Sequence, residues 1–104
     1  MARFDVYANP DPVERRHTPF VLDVQNDHLG PMASRVMIPL RTPQFIGPPV
    51  RDLNPQWLIE GKTVVLDTAN IAAIHNSLLR RPVTRLDKER GDVLLALDTL
   101  FGSF

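Results

Sequence analysis

Cysteine is absent from this sequence, which excludes disulfide staples and thiolate chemistry. Net charge is absent too: twelve basic residues balance twelve acidic ones. No chain-wide field draws nucleic acid or an anionic membrane, so any nucleic-acid role needs a local patch. The apolar runs are far shorter than a membrane span, and the start through Arg3, Phe4 and Asp5 carries no apolar signal core. The expectation is a soluble, cytoplasmic protein with no membrane partner. No repeat, linker or low-complexity tract divides the chain, so residues 1–104 read as a single domain. A core of that size gains from pairing with a second copy, and a homodimer is expected. The three histidines, His17, His28 and His75, are scattered, and no HExxH, Gly-rich phosphate loop or nucleophile elbow occurs. No catalytic residue, metal ligand or cofactor is expected, and Asp23, Asp67 and Asp98 read as solvated surface carboxylates.

What the sequence does have is alternation, proline and one strong helical period. Arg3 to Tyr7 alternates, with Phe4 and Val6 on one face, and Phe20 to Gln25 alternates again, with Phe20, Leu22 and Val24 together. Between these two strands a polar loop from Asn9 to Pro19 reads as exposed and mobile. Asn26 and Asp27 open a turn holding His28, Leu29, Gly30 and Pro31. A third strand, Ser34 to Leu40, contains Pro39, which should confine that end to an edge or a bulge. The proline-rich stretch Thr42 to Pro55 reads as a long irregular loop. Gln56 to Leu66 is a hairpin signal, with Gly61 in its turn and Trp57 packing on a small β wing. Ile71, Ile74 and Leu78 carry a weak helical period.

The clearest element is the last. Asp87 reads as a helix N-cap, and Val93, Leu94, Leu97, Leu100 and Phe101 recur on one helical face. The chain then closes on Phe101, Gly102, Ser103 and Phe104, two aromatics around a flexible dipeptide. Such an apolar end either tucks into the core or is presented to a partner. The fold class that follows is mainly β, an antiparallel sheet with a small wing, plus one C-terminal helix.

Three segments together, Asp23-Val24-Gln25-Asn26-Asp27, Arg35-Val36-Met37-Ile38-Pro39-Leu40 and the helix register ending three residues after Phe101, resemble the CcdB family of toxins. The colinear likeness extends over nearly the whole chain. It implies an SH3-like barrel and a homodimer, and a toxin that traps DNA gyrase as a binding poison. It also implies a CcdA-like antitoxin with a disordered tail, and contact with operator DNA only through the antitoxin complex. Carried over by position, the surface for the gyrase A subunit falls on His28 and Leu29, and on Asp98, Phe101, Gly102, Ser103 and Phe104. The family pattern places a Trp, stacked on gyrase across the dimer axis, where this chain has Gly102, and isoleucines where it has His28 and Leu29. The resemblance places an extended strand over Ala69 to Ile74, near the dimer interface, and that reading is followed over the weak helical period. The antitoxin tail would meet the loops Asn9 to Arg16 and Arg41 to Val50, where Arg15, Arg16, Arg41 and Arg51 could hold carboxylates.

Two other functions are compatible with these residues. One is an endoribonuclease toxin of the MazF or Kid type, which needs arginine, histidine and aspartate at a concave dimer face. The candidates are Asp67, His75, Arg80 and Arg81. The other is a CcdB-fold relic that keeps the antitoxin and has lost gyrase poisoning.

Overall fold

Alternating apolar residues in the first half of the chain build the strands they predict, but bury both of their faces. The computed structural model describes residues 1–102. Its strands are β1 (Asp5–Ala8), β2 (Phe20–Asp23), β3 (Ser34–Arg41), β4 (Gln56–Ile59), β5 (Lys62–Leu66), β6 (Ala72–His75) and β7 (Thr84–Arg85). A one-turn helix, α1 (Pro43–Ile46), breaks the proline-rich segment, and α2 (Arg90–Phe101) ends the described chain. The strands form one antiparallel sheet in the order β4-β5-β3-β2-β1-β7, with β6 added beside β3. It curls into a nearly closed barrel with a single long helix, α2.

One face carries the main core: Phe4, Val6, Phe20, Leu22, Val24, Ile38, Leu40, Val64 and Leu66, closed by Val93 and Ala96 of α2. Trp57 is half-buried against this cluster, as a wing residue should be. The hairpin turns through Glu60 (φ 49°) and Gly61 (φ 77°), the two left-handed residues that a two-residue connection with native twist needs. The opposite face is smaller, with Tyr7, Val21 and Met37 packed under Ile74 and Leu79.

Pro39 lies inside the sheet, where the sequence pointed to an edge or bulge. On one side of β3 its register partner is Val21 of β2. On the other side β3 pairs first with β6, up to Met37, and then with β5, from Leu40. Pro39 falls in the gap between them, and its carbonyl accepts Asp67 N–H at 2.9 Å. A residue's N–H and C=O point to the same side of a strand. The missing donor therefore faces a place with no ladder to complete.

The stretch after β5 resolves as extended structure. Thr68–Asn70 forms a 3₁₀ turn, and β6 then pairs with β3 from Ser34↔His75 to Met37↔Ala72. The loop after β1 is exposed from Asp11 to Arg16, as expected, but its ends at Asn9, Thr18 and Pro19 are buried; it is shaped by a 3₁₀ turn at Glu14–Arg16 and by Asn9, whose Nδ2 donates to the Thr18 carbonyl at 2.9 Å.

Asp23 is where expectation and structure part most sharply. It is fully buried, not solvated, and forms a two-pronged pair with the equally buried Arg35: Nε to Oδ2 at 2.7 Å and one terminal nitrogen to Oδ1 at 3.0 Å. Asp67 is also largely buried, pairing with Arg41 Nε at 2.5 Å. Only Asp98 is exposed as read.

Removing one member of a buried pair leaves an uncompensated charge, at a cost of about 3–5 kcal/mol, whereas replacing both by apolar groups is close to neutral. Arg35→Met alone should therefore lose stability of that order in urea unfolding followed by Trp57 fluorescence. Asp23→Leu combined with Arg35→Met should recover most of it. Equal losses in the single and the double variant would mean that the charge pairing is not what this region depends on.

Candidate functional site

Helix α2 starts later than its sequence suggests. Asp87 does not cap it: the N-cap is Glu89, without a side-chain bond, and Asp87 instead bonds Arg85 at 3.2 Å and approaches Arg90 at 3.5 Å. The apolar stripe is rotated as well. Val93 and Ala96 are buried and Leu97 and Leu100 half-buried, while Leu94, Leu95 and Phe101 are 38%, 46% and 68% exposed. Ala96, a small residue that periodicity passed over, is what lets the helix lie close on the barrel. Phe101 projects from the end of the helix beside the exposed Asp98. Gly102 turns the chain with φ 81° while its N–H donates to the Asp98 carbonyl at 2.7 Å. Glycine suits this position because a Cβ disfavours such a φ. The expected site residues Ser103 and Phe104 lie outside the described residues.

His28 and Leu29 occupy a 3₁₀ turn, Asp27–Leu29, that the buried network holds in place. Asn26 Oδ1 accepts His28 N–H at 3.0 Å, and Asp27 Oδ1 accepts Arg3 N–H at 2.8 Å. Gln25 reaches from one side, its Nε2 donating to the Leu29 carbonyl at 3.3 Å and its Oε1 accepting Val36 N–H at 2.9 Å. From below, the Arg35–Asp23 pair fixes Gln25, whose N–H donates to Asp23 Oδ1 at 3.0 Å. Leu29 is 47% exposed on this hydrogen-bonded base. A cavity of about 190 Å³ separates the turn from the first half of α2, with Asp27 on one wall and Arg90 and Leu94 on the other. Phe101 lies about 10 Å further along the helix axis than Leu94. Within one chain, the turn thus adjoins the start of α2, and the Asp98 to Gly102 end is displaced from it.

The four arginines fall into two places. Thr42 N–H donates to the His17 carbonyl at 2.9 Å and the His17 ring stacks on Phe45 at 4.3 Å, which brings the loop of Arg15 and Arg16 beside the end of β3 that carries Arg41. Arg41 is already committed to Asp67 and to Thr18 Oγ1 at 2.7 Å, and lies 5.0 Å above the Phe45 ring. Arg15 uses Nε on the Asn9 carbonyl at 2.7 Å, and Arg16 is exposed. Arg51 stands apart, lining a cavity of about 410 Å³ with Val50, Asp92 and Leu95.

Two residues of the ribonuclease alternative, Asp67 and His75, do not meet within one chain. Asp67 lies opposite Pro39 and His75 opposite Ser34, about 17 Å apart along β3 at the rise of an extended strand. His75 Nδ1 is engaged by Ser77, its hydroxyl at 2.8 Å and its N–H at 3.2 Å.

The residues missed from sequence are Arg35 and Gln25, which act through the turn. Their signal was present: Asp23 interrupts an apolar run in one strand, and Arg35 opens the apolar run of the neighbouring strand. A charge inside a two-faced apolar strand calls for a partner.

Ionisation follows burial here. Asp23 is pushed above its ordinary value by desolvation, with Arg35 and the Gln25 N–H pulling it back. Asp27, in contrast, is lowered, first by the Arg3 N–H. Tyr7 is pushed up to about 12 by burial and then by the charges of Asp5 and Asp23. A raised phenol value means that the fold favours the neutral ring. Stability from this source is whole below pH 10.0 and is lost as pH rises through about 12. Tyr7 is the chain's only tyrosine, so phenolate absorbance reads it alone. It should stay silent until about pH 12, and Tyr7→Phe should remove this part of the alkaline loss of stability. An absorbance step near pH 10.0 with the fold intact would contradict the burial argument.

Two comparisons bear on identity. No curated protein matches the chain by sequence. A family model described as CcdB protein matches residues 3–102, almost the whole length and every element of the barrel and its helix. The chain belongs to the CcdB family, a family of toxin–antitoxin toxins.

Proposed function

We propose that this protein is the toxin of a type II toxin–antitoxin module that binds and poisons DNA gyrase without catalysis of its own and is neutralised by a CcdA-like antitoxin. It acts as a cytoplasmic homodimer formed from a single toxin domain. Among the described residues no helix is long and apolar enough to cross a membrane. The observation that carries the reading is Phe101, a large aromatic left 68% exposed at the end of a helix whose other face is well packed. Two such ends near a dimer axis would gather aromatic rings into a patch suited to a protein partner. Ala72 and Ala73, small and exposed on edge strand β6, support close approach of the second copy.

In this reading the gyrase A subunit meets His28 and Leu29 on the hydrogen-bonded turn, together with Asp98, Phe101, Gly102, Ser103 and Phe104 at the carboxyl end. The antitoxin tail meets Arg15, Arg16, Arg41 and Arg51, and operator DNA is contacted only through the toxin–antitoxin complex. Gly102 favours a second reading, a relic with its target lost. Where the family pattern has an indole at the interface centre, the chain has no side chain at all, a loss of more than about 2 kcal/mol of binding by comparison with other hot-spot aromatics.

A supercoiling assay with the parent, Phe101→Ala and Gly102→Trp separates the two. A parent that poisons gyrase should lose about tenfold or more in potency on Phe101→Ala, as expected for a buried aromatic at an interface. An inert parent made active by Gly102→Trp establishes the relic. Strong poisoning that is indifferent to Phe101→Ala would remove the terminal site from the account.

A further inference from the structure

Arg80 took no part in the expected antitoxin surface, yet the fold sets it across a cavity from Arg15. The cavity measures about 440 Å³ and lies between the β1–β2 loop and the segment after β6. Pro10 and Pro12 line it from the loop, and Ser77 and the 58%-exposed Leu78 from the other side. Both charged residues of the lining are arginines, in a chain whose net charge is zero. Neither makes an ion pair among the described residues, whereas Arg35, Arg41, Arg85 and Arg90 all do. The nearby carboxylate of Asp11 is turned away to its own loop, where Oδ1 accepts Val13 N–H at 3.0 Å.

We infer that this cavity is a receptor for an acidic side chain of an extended partner segment, held between the guanidinium groups of Arg15 and Arg80 with an apolar neighbour laid on Pro12 and Leu78. Two forks facing one cavity suit a carboxylate, because each can donate a pair of parallel bonds. Arg15 is pre-aimed, since its Nε is tied to the Asn9 carbonyl at 2.7 Å and its terminal nitrogens remain for a ligand. Proline walls lose little freedom on binding. A nucleic-acid backbone fits less well. It needs a row of phosphate contacts and stacking surfaces, and this lining offers two cations and no aromatic ring. The inference rests on the reading that an antitoxin tail docks on the β1–β2 loop, and it extends that surface to the opposite wall, at Arg80.

The test uses the full chain and two synthetic peptides, Ac-Glu-Leu-Glu-Leu-NH₂ and its Gln-for-Glu counterpart, titrated by amide NMR. The acidic peptide should shift the signals of Ala8, Ser77 and Leu78, weaken with added salt, and lose about tenfold in affinity on Arg80→Glu, the expected weight of a charge-assisted bond. Arg80→Lys, which keeps the charge and loses the fork, should bind less tightly than the parent and more tightly than Arg80→Glu. Arg80 is exposed, so the unfolding midpoint should be unchanged in both variants. Equal binding of the Gln peptide, shifts confined to other surfaces, indifference to Arg80→Glu, or tighter binding of single-stranded oligothymidylate at these residues would each overturn the inference. The supercoiling assay on the parent reports on gyrase alone, and antitoxin that binds parent and Arg80→Glu equally would remove this subsite while leaving the wider antitoxin reading intact.

Discussion

The buried pair of Asp23 and Arg35 is the constraint on which the rest of this structure depends. It joins β2 to β3 at the point where both strands lose solvent on either face, and it does so with both oxygens of the carboxylate occupied. Such a pair adds little net stability over apolar residues of equal size, because desolvation of the two charges offsets their attraction. Its consequence is directional. Asp23 accepts from the Gln25 N–H, Gln25 holds the Leu29 carbonyl and the Val36 N–H, and Arg3 holds Asp27. A chain of bonds thus runs from the interior of the sheet to an exposed turn.

The opposite end of the molecule follows a different logic. Helix α2 is fixed by a narrow seam of Val93, Ala96, Leu97 and Leu100, which leaves three large apolar side chains in water. Ala96 lies fully buried on the packed face while Phe101 is 68% exposed, and Gly102 ends the helix in a conformation that a larger residue resists. The residue just before β1 holds a comparable compromise. Phe4 holds φ 73°, a conformation that costs a non-glycine residue about 1–2 kcal/mol. Its N–H donates to the Asp23 carbonyl and its own carbonyl accepts from Leu86, so β2 and the residue after β7 hold it there.

Charge in this chain is sorted by use. Arg35, Arg41, Arg85 and Arg90 are paired with aspartates, while Arg15, Arg51 and Arg80 border cavities without an ion pair among the described residues. An overall charge of zero conceals this sorting.

Composition, alternation and turn chemistry determined much about this protein without the fold. The hairpin at Glu60-Gly61, the order of strands, the presence of one terminal helix and the family resemblance were all legible, because each is written in residues close together in sequence. What needed tertiary structure was every decision made between distant residues. Asp87 looked like a cap until Arg85 and Arg90 claimed it. Asp23 looked solvated until two strands brought Arg35 against it. Pro39 looked like an edge marker until the change of neighbour from β6 to β5 gave it an interior place. The face of α2 that packs was decided by the barrel it lands on, and the Arg15–Arg80 cavity by loops far apart in the chain. Local sequence sets what each segment prefers to be, but burial and pairing are properties of two segments at once, and only the folded chain brings the second one into contact.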